Sequence, residues 1–120
     1  MFGNSWKKEY TYLSSKEYKK RISGNRQVLA QLGKLGDNQM LERELLHYIY
    51  FNNETDCASY DAEVQFYGYS VKPAQVGLGV IVSSNNKTDI DTVNDVVLLL
   101  ANLAAAHNGE YDGWETTIRK

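Results

Sequence analysis

The 120-residue sequence predicts an α+β fold, and this prediction depends on its length, its composition and the order of its elements. A chain of this size holds a single hydrophobic core, and 42% hydrophobic with 23% charged residues is typical of a globular domain. After an N-terminal helix, the residue patterns predict strand, helix, strand, strand, helix and strand. Because crossovers are short and right-handed, this order favours a ferredoxin-like βαββαβ sandwich, in which a four-stranded antiparallel sheet carries two helices on one face. The N-terminal helix is additional to that fold.

The additional helix is predicted over residues 15–34. Ser14 and Ser15 are good N-caps, and apolar residues then recur at helical spacing. Gly24 lowers the stability of the middle of the helix by about 1 kcal/mol relative to Ala, so a break there is an alternative. The sequence Gly36-Asp37-Asn38 ends the helix.

The first strand and the second helix follow. Residues 43–51 are rich in aromatic and β-branched side chains on both faces, which predicts a central or next-to-central strand. Residues 52–56 supply capping side chains, a helix is predicted over residues 57–67, and Gly68 ends it. Three residues share one face of this predicted helix: Ala58, Ala62 and Phe66.

The middle of the chain predicts a hairpin and then a long helix. Residues 69–72 and 77–83 form its two strands, and Pro73 places the first strand at an edge or ends it, because proline cannot donate a ladder hydrogen bond. The apolar residues of 90–107 recur at spacings of three and four, which predicts a helix capped by Thr88 or Asp89.

The stretch HNGEYDGW, residues 107–114, contains two pairs that each favour a turn. The first pair, Asn108-Gly109, follows the long helix, so its glycine is predicted to be the left-handed residue that ends the helix. Residues 110–118 are predicted as the final strand, in which Gly113 marks a bulge or a close contact with a helix. A hairpin turn at that second glycine is less favoured because its strands would be very short.

Charge is distributed unevenly along the chain. Residues 1–40 contain eight Lys/Arg and three Asp/Glu, a net charge of +5, whereas residues 41–120 contain five and twelve, a net charge of −7. We therefore expect an N-terminal basic helical arm over residues 1–40 and a ferredoxin-like domain over residues 41–120. Such a division indicates either a nucleic-acid or acidic partner, or a solvated helix lying against its own acidic domain, and the second account is favoured.

No membrane-spanning or secretory segment is predicted. The longest apolar run, residues 96–101, is far shorter than the roughly 20 residues that cross a bilayer. No apolar segment follows the first charged residues, so a signal peptide is not expected. The single cysteine, Cys57, forms no internal disulfide and suits a reducing cytosol, which predicts a cytoplasmic protein.

Few residues offer catalytic or metal chemistry. To act as a nucleophile, Cys57 would need His47 or His107 as a base. We favour the alternative that Cys57 is a small, half-buried residue in a helix without a catalytic role. One Cys and two His do not make a zinc site. Acidic residues near predicted helix starts stabilise the helix dipole rather than bind a cation: Glu54, Asp56, Asp89 and Asp91. We predict no catalytic residue, no metal and no cofactor.

An RNA-binding module is the alternative function. Nine tyrosines are present, and ferredoxin-like sheets in RNA-recognition motifs stack bases on exposed rings. The rings that could face outward in such a module are Tyr48, Tyr50, Tyr111 or Trp114. Phosphates would contact the basic helix through Lys16, Lys19, Lys20, Arg21 and Arg26. The aromatic-glycine pattern of such motifs is absent, and the negative charge of residues 41–120 repels phosphate, so we expect most of the rings to pack within the fold.

The long apolar helix followed by Glu110-Tyr111-Asp112-Gly113-Trp114 resembles the family named regulator of ribonuclease E activity B (RraB), whose domain ends in such a helix and an acidic-Tyr-Asp-Gly-Trp strand. Weaker similarity is found at residues 47–51, 66–71 and 80–84, within a resemblance that spans roughly residues 41–119. The resemblance implies a ferredoxin-like fold, no catalysis, and a cytosolic protein that binds and inhibits ribonuclease E, the endoribonuclease that starts messenger RNA decay.

The resemblance also implies a surface for a protein partner. The residues predicted to form that interface or to support it are Tyr111, Asp112 and Trp114, together with Tyr48 and Tyr50. The best-known members of the family are strongly acidic, whereas residues 1–40 of this chain are basic. Attraction to a basic or RNA-binding partner would depend on the negative charge of residues 41–120.

Overall fold

The computed structural model describes residues 10–120 as a four-stranded antiparallel sheet with helices packed on one face. In chain order the elements are α1 (Ser15–Lys34), β1 (Arg43–Tyr50), α2 (Glu54–Phe66), β2 (Ser70–Pro73), β3 (Gly79–Asn86), α3 (Ile90–Ala106) and β4 (Glu110–Thr116). The strand order β2-β3-β1-β4 is that of a ferredoxin-like sandwich, and α1 is the additional helix, so the predicted fold class is confirmed. The predictions for the first nine residues lie outside the described part of the chain.

Strand β1 shows how alternation produces two different sheet faces. Leu45, His47 and Ile49 are fully buried because the helices cover their side of the sheet, which we call the covered face. The opposite side, which we call the open face, carries the half-buried alternate residues of β1: Leu46, Tyr48 and Tyr50.

Helix α3 supplies most of the apolar side chains that cover the sheet. It begins after Asp89, whose carboxylate accepts a hydrogen bond from the Thr92 N–H at 3.1 Å, which confirms one of the two predicted caps. Its buried apolar residues are Val93, Val96, Val97, Leu98, Leu100, Ala101, Leu103 and Ala104. Because full burial of a Val or Leu side chain contributes about 1.5–3 kcal/mol, this helix decides which sheet face is covered.

Helix α1 packs beside α3 on the same side of the sheet. The Ser14 hydroxyl accepts a hydrogen bond from the Glu17 N–H at 3.0 Å, and the helix continues through Gly24 without a break. The buried Asn25 donates to Oδ1 of Asn94 on α3 at 2.8 Å. Helix α1 therefore contributes to the helical layer, while the proposed domain boundary at residue 40 stays a prediction.

Helix α2 begins at Glu54, earlier than predicted, because Asn53 acts as its N-cap and accepts from the Asp56 N–H at 2.8 Å. Its buried residues are Tyr60 and Val64, and the Tyr60 hydroxyl donates to the Leu100 carbonyl at 3.0 Å. The three residues predicted to share a face do so, but that face is exposed to solvent, with Phe66 89% exposed.

The end of α3 corrects the prediction for the Asn108-Gly109 pair. Asn108 takes the left-handed conformation, with φ of 59°, and Gly109 does not. The Asn108 N–H donates to the Ala105 carbonyl at 3.2 Å and the Gly109 N–H donates to the Ala104 carbonyl at 2.7 Å, which is the Schellman pattern. Glycine is needed at 109 for another reason, since an added Cβ would lie 2.3 Å from Cε2 of the buried Phe51.

Strand β4 contains a bulge at Asp112. Tyr111 pairs with Ile49, but Gly113 pairs with Tyr48, so Asp112 is one extra residue in the ladder. The structure therefore confirms a bulge beside Gly113, with Asp112 as the extra residue. The alternative, a close contact between Gly113 and a helix, is wrong because an added Cβ there would meet nothing within 4 Å. At the opposite edge, β2 ends at Pro73, as predicted.

A buried ion pair closes one end of the sheet. Arg43 and Asp37 lie 2.6 Å apart with both side chains 3% exposed. Asp37 also accepts hydrogen bonds from the Thr88 hydroxyl at 2.9 Å and from the Arg119 N–H at 2.9 Å. Burial alone would raise the pKa of Asp37, but the hydrogen bonds from Arg119, Arg43 and Thr88 lower it below its ordinary value.

Within the part of the chain that the structure describes, none of the helices is both long and apolar enough to span a bilayer.

Candidate protein-binding surfaces

The predicted partner-binding aromatic residues are divided between the two faces of the sheet. Tyr48 and Tyr50 lie on the open face, whereas Tyr111 and Trp114 lie on the covered face, because they pair with the buried Ile49 and His47. The prediction that Tyr111 could face outward is wrong, since only 3% of it is exposed. Residues three apart in a regular strand point to opposite faces, and the extra residue at the bulge brings both rings to the same face.

Tyr111 belongs to a hydrogen-bonded chain under the helices. Its hydroxyl lies 2.8 Å from Nδ1 of His47, and Nε2 of His47 lies 2.9 Å from the Ser84 hydroxyl. Because Ser84 donates its proton to Oδ1 of Asn86 at 2.8 Å, His47 must donate from Nε2 and accept from Tyr111 at Nδ1. Burial lowers the pKa of His47 to about 3, so the imidazole is neutral at physiological pH.

Trp114 is half-buried and contacts the core from β4. Its Nε1 donates to Oδ1 of Asn25 at 2.9 Å, so the ring connects β4 to α1. Beside it, a groove of about 490 Å³ runs between α1 and β4 and includes the exposed Asp112 and Lys20. Trp114 thus supports the position of α1, and Asp112 lines a groove that is separate from the open face.

The open face forms a second groove, of about 510 Å³. Its floor includes the apolar parts of Leu46, Tyr48, Tyr50 and Ile81, which lie on neighbouring strands. The β2–β3 loop continues this groove through Val76, which is 82% exposed. Apolar side chains grouped on a sheet face that no described element covers make this groove a candidate surface for binding another macromolecule.

Both tyrosine rings on the open face are held in place. The Tyr48 hydroxyl donates to Oε2 of Glu115 on β4 at 2.8 Å, and this hydrogen bond raises the pKa of the phenol. The Tyr50 ring lies against two glycines: an added Cβ would be 3.8 Å from its Cδ1 at Gly77 and 2.7 Å at Gly79. No local sequence pattern indicates this role of the glycines, because Tyr50 is distant from both of them along the chain.

Carboxylates flank the apolar part of the open face. Glu44 accepts a hydrogen bond from the Ser83 hydroxyl at 2.6 Å, and Glu115 accepts one from Tyr48. The ion pairs found within residues 10–120 involve neither Glu44 nor Glu115. Lys72 also lines the groove, so both signs of charge are present, and the two carboxylates lie on adjacent strands.

The two parts of the RNA-binding alternative lie on opposite sides of the molecule. Helix α1 packs on the covered side, while Tyr48 and Tyr50 face the open side. Arg21 is engaged within the fold, with Nε 2.7 Å from Oε2 of Glu17 and its guanidinium 5.4 Å from the centre of the Tyr111 ring. The other four predicted phosphate contacts are exposed on α1: Lys16, Lys19, Lys20 and Arg26.

Cys57 lacks the surroundings of a nucleophile. Burial, with a contribution from Asp61, raises the pKa of its thiol, whereas a nucleophilic cysteine requires the opposite shift. His47 is bonded to Tyr111 and Ser84 as described above, and Nε2 of His107 lies 2.6 Å from Oε1 of Glu63. Among the residues that the structure describes, no group of three or more His, Cys, Asp or Glu side chains could hold a metal ion.

The fold and these surfaces define a class of protein: a ferredoxin-like α+β sandwich with grooves on its outer surface. The model of the family described as Regulator of ribonuclease activity B (RraB) matches residues 23–116, and the chain belongs to this family. The predicted resemblance is confirmed, and the match begins within α1 rather than at residue 41. A comparison with curated proteins found no match. The family description is that of a regulatory protein acting on ribonuclease activity.

Proposed function

We propose that this chain is a non-enzymatic regulator of RNA decay that binds ribonuclease E through its open face and lowers the activity of that enzyme. Membership of a family described as a regulator of ribonuclease activity supports the regulatory role. The observation that carries the binding mode is the pair of fixed tyrosine rings, Tyr48 and Tyr50, on a sheet face that no element of residues 10–120 covers.

Fixed aromatic rings favour binding for a thermodynamic reason. Ordering a flexible side chain at an interface costs about 0.5–1.5 kcal/mol, and a ring already held by its own fold avoids much of that cost. Tyrosine is also enriched among the few interface residues that contribute most of the binding energy. Tyr48 and Tyr50 are therefore the proposed partner contacts, while Tyr111 and Trp114 support the sheet from the covered side. Asp112 stays a predicted contact at the α1–β4 groove.

The test measures cleavage of a fluorescent RNA by purified ribonuclease E as this protein is added. The wild type lowers the cleavage rate, and without the ribonuclease it leaves the RNA intact. Tyr50→Ala raises the concentration needed for half-inhibition by about 10-fold to 30-fold, as expected for loss of a central interface residue. Tyr67→Ala is the matched control, because Tyr67 is 51% exposed at the end of α2, and it changes that concentration by less than about 2-fold.

Thermal midpoints of both variants accompany the assay, so that a loss of inhibition is not confused with unfolding. The proposal is contradicted if the folded wild type neither binds ribonuclease E nor changes the cleavage rate. If the wild type inhibits and Tyr50→Ala inhibits equally well, the regulatory role stands and the open face is not the interface. Action in the cytosol stays a prediction, based on the single cysteine.

A further inference from the structure

The side chains of the open face indicate which chemical groups a partner would need in order to bind there. Leu46 lies at its centre, with Tyr48 on one side of it along β1 and Glu44 on the other. Glu115 is the residue that pairs with Leu46 on β4. Residues directly opposite on adjacent strands lie about 5 Å apart and alternate residues of one strand about 7 Å apart, so both carboxylates lie beside the same apolar floor.

The carboxylates of Glu44 and Glu115 can still accept hydrogen bonds from a cationic partner. Each accepts a hydrogen bond from one neutral hydroxyl, that of Ser83 for Glu44 and that of Tyr48 for Glu115. A carboxylate has about four acceptor positions, so most of them face solvent. A guanidinium group fits a carboxylate through two parallel hydrogen bonds and is also attracted to the face of an aromatic ring.

We propose that the open face binds an arginine-bearing extended segment of a partner protein, with guanidinium groups at Glu44 and Glu115 and their aliphatic stems on Leu46 and Tyr48. This inference rests on the proposed function only in using the same face as the interface. Charge complementarity selects the occupant, since the phosphates of RNA would be repelled by the same carboxylates. The exposed cations of α1 lie on the covered side, and Lys72, which lines the groove, is a single positive charge against the two carboxylates, so neither compensates for that repulsion.

The experiment measures fluorescence anisotropy of a labelled peptide of alternating Arg and Ser, about eight residues long, which spans the four strands at roughly 3.3 Å per residue. A peptide of alternating Glu and Ser and a single-stranded oligouridine of similar length are the comparison ligands. At an ionic strength of about 0.1 M, where charges are screened beyond about 10 Å, we expect saturable binding of the arginine peptide and at least 10-fold weaker binding of the other two.

Two double variants carry equal changes in charge. Glu44→Gln with Glu115→Gln removes both carboxylates of the open face, and we expect affinity for the arginine peptide to fall by at least about 10-fold. Glu54→Gln with Asp95→Asn removes two exposed carboxylates from α2 and α3, and we expect a change of less than about 2-fold. Thermal midpoints verify that both double variants are folded.

Four outcomes overturn the inference: no saturable binding of the arginine peptide, an equal effect of the two double variants on its affinity (including no effect of either), equal binding of the glutamate peptide, or tighter binding of the oligouridine. The same variants in the ribonuclease E assay separate the two proposals. If Tyr50→Ala abolishes inhibition and the Glu44/Glu115 double variant does not, the proposed function stands and the cationic occupant is wrong. If the arginine peptide binds as expected and ribonuclease E does not bind, the proposed arginine-bearing partner is supported and the proposed function is wrong.

Discussion

Adjacent residues of β1 belong to two surfaces with different physical roles. Both ring nitrogens of His47 form hydrogen bonds within the fold, to Tyr111 and Ser84, and its side chain is fully buried. The next residue, Tyr48, uses its one hydroxyl on Glu115 and leaves part of its ring exposed. Polar groups on the covered face are thus hydrogen-bonded within the protein, whereas those on the open face can still form hydrogen bonds with a partner. Substitutions on the covered face should reduce stability, while substitutions on the open face should reduce binding.

The largest expected difference lies between Arg43 and Glu44, which are neighbours on opposite faces. Arg43→Met leaves Asp37 as a buried carboxylate without its cation, and we expect the free energy of unfolding to fall by about 3–5 kcal/mol. Glu44→Gln removes an exposed charge and should change it by less than about 0.5 kcal/mol. Urea unfolding followed by circular dichroism measures both. Similar losses for the two variants would contradict the distinction between the faces.

A second pair tests the same distinction on β4. Trp114→Ala removes the ring that bonds to Asn25 and contacts the core, and we expect a loss of about 2–4 kcal/mol, towards the lower end for a Trp truncation because the ring is half-buried. Glu115→Ala, one residue further on, should cost less than about 0.5 kcal/mol. A folded Trp114→Ala protein that has lost inhibition of ribonuclease E would instead place Trp114 in the interface.

The covered face should also make stability depend on pH. The pKa of His47 is about 3 in the folded chain and about 6.5 in the unfolded chain, so between these two pH values the unfolded chain takes up this proton and the folded chain does not. Stability is therefore lost as the pH falls, with a slope that approaches about 1.4 kcal/mol per unit, which amounts to roughly 2.3 kcal/mol between pH 6.5 and 4.5.

His47→Gln is the matched variant, because its amide can both donate and accept but does not titrate. Asp37, whose pKa is lowered in the folded chain, adds acid sensitivity that both proteins share. Free energies of unfolding from urea titrations at several pH values give the two slopes. Parallel slopes would show that His47 is not held neutral by the fold.

Local signals in the sequence were sufficient to predict the order of the elements. The apolar spacing of α3 and the caps at Ser14 and Asp89 act within a few residues, and the structure confirms them. The left-handed residue after α3 was assigned to the wrong position because the reason for Gly109 is its contact with Phe51, almost sixty residues earlier in the chain. A contact between distant segments leaves no periodic pattern in the sequence.

The candidate site was harder to predict from the sequence for the same reason. Alternation identifies two faces of a strand but does not say which of them the helices cover. The bulge at Asp112 then reverses the alternation, so a regular strand pattern does not show that Tyr111 and Trp114 lie on the same, covered face. The EYDGW sequence supported the family resemblance, and the family match confirms it, but the open face became visible only when the strand order was known.

The smallest expected effect comes from removing a single hydroxyl group on each face. Tyr111→Phe leaves Nδ1 of the buried His47 without its donor, so we expect a loss of about 1–3 kcal/mol. Tyr48→Phe removes a hydrogen bond to the exposed Glu115, and water can replace it, so the change should be less than about 0.5 kcal/mol. The two variants delete the same atom, and paired urea titrations therefore compare the two environments directly. If Tyr48→Phe costs as much as Tyr111→Phe, the Tyr48–Glu115 bond is part of what stabilises the sheet, and the open face is not available to a partner at no cost to the fold.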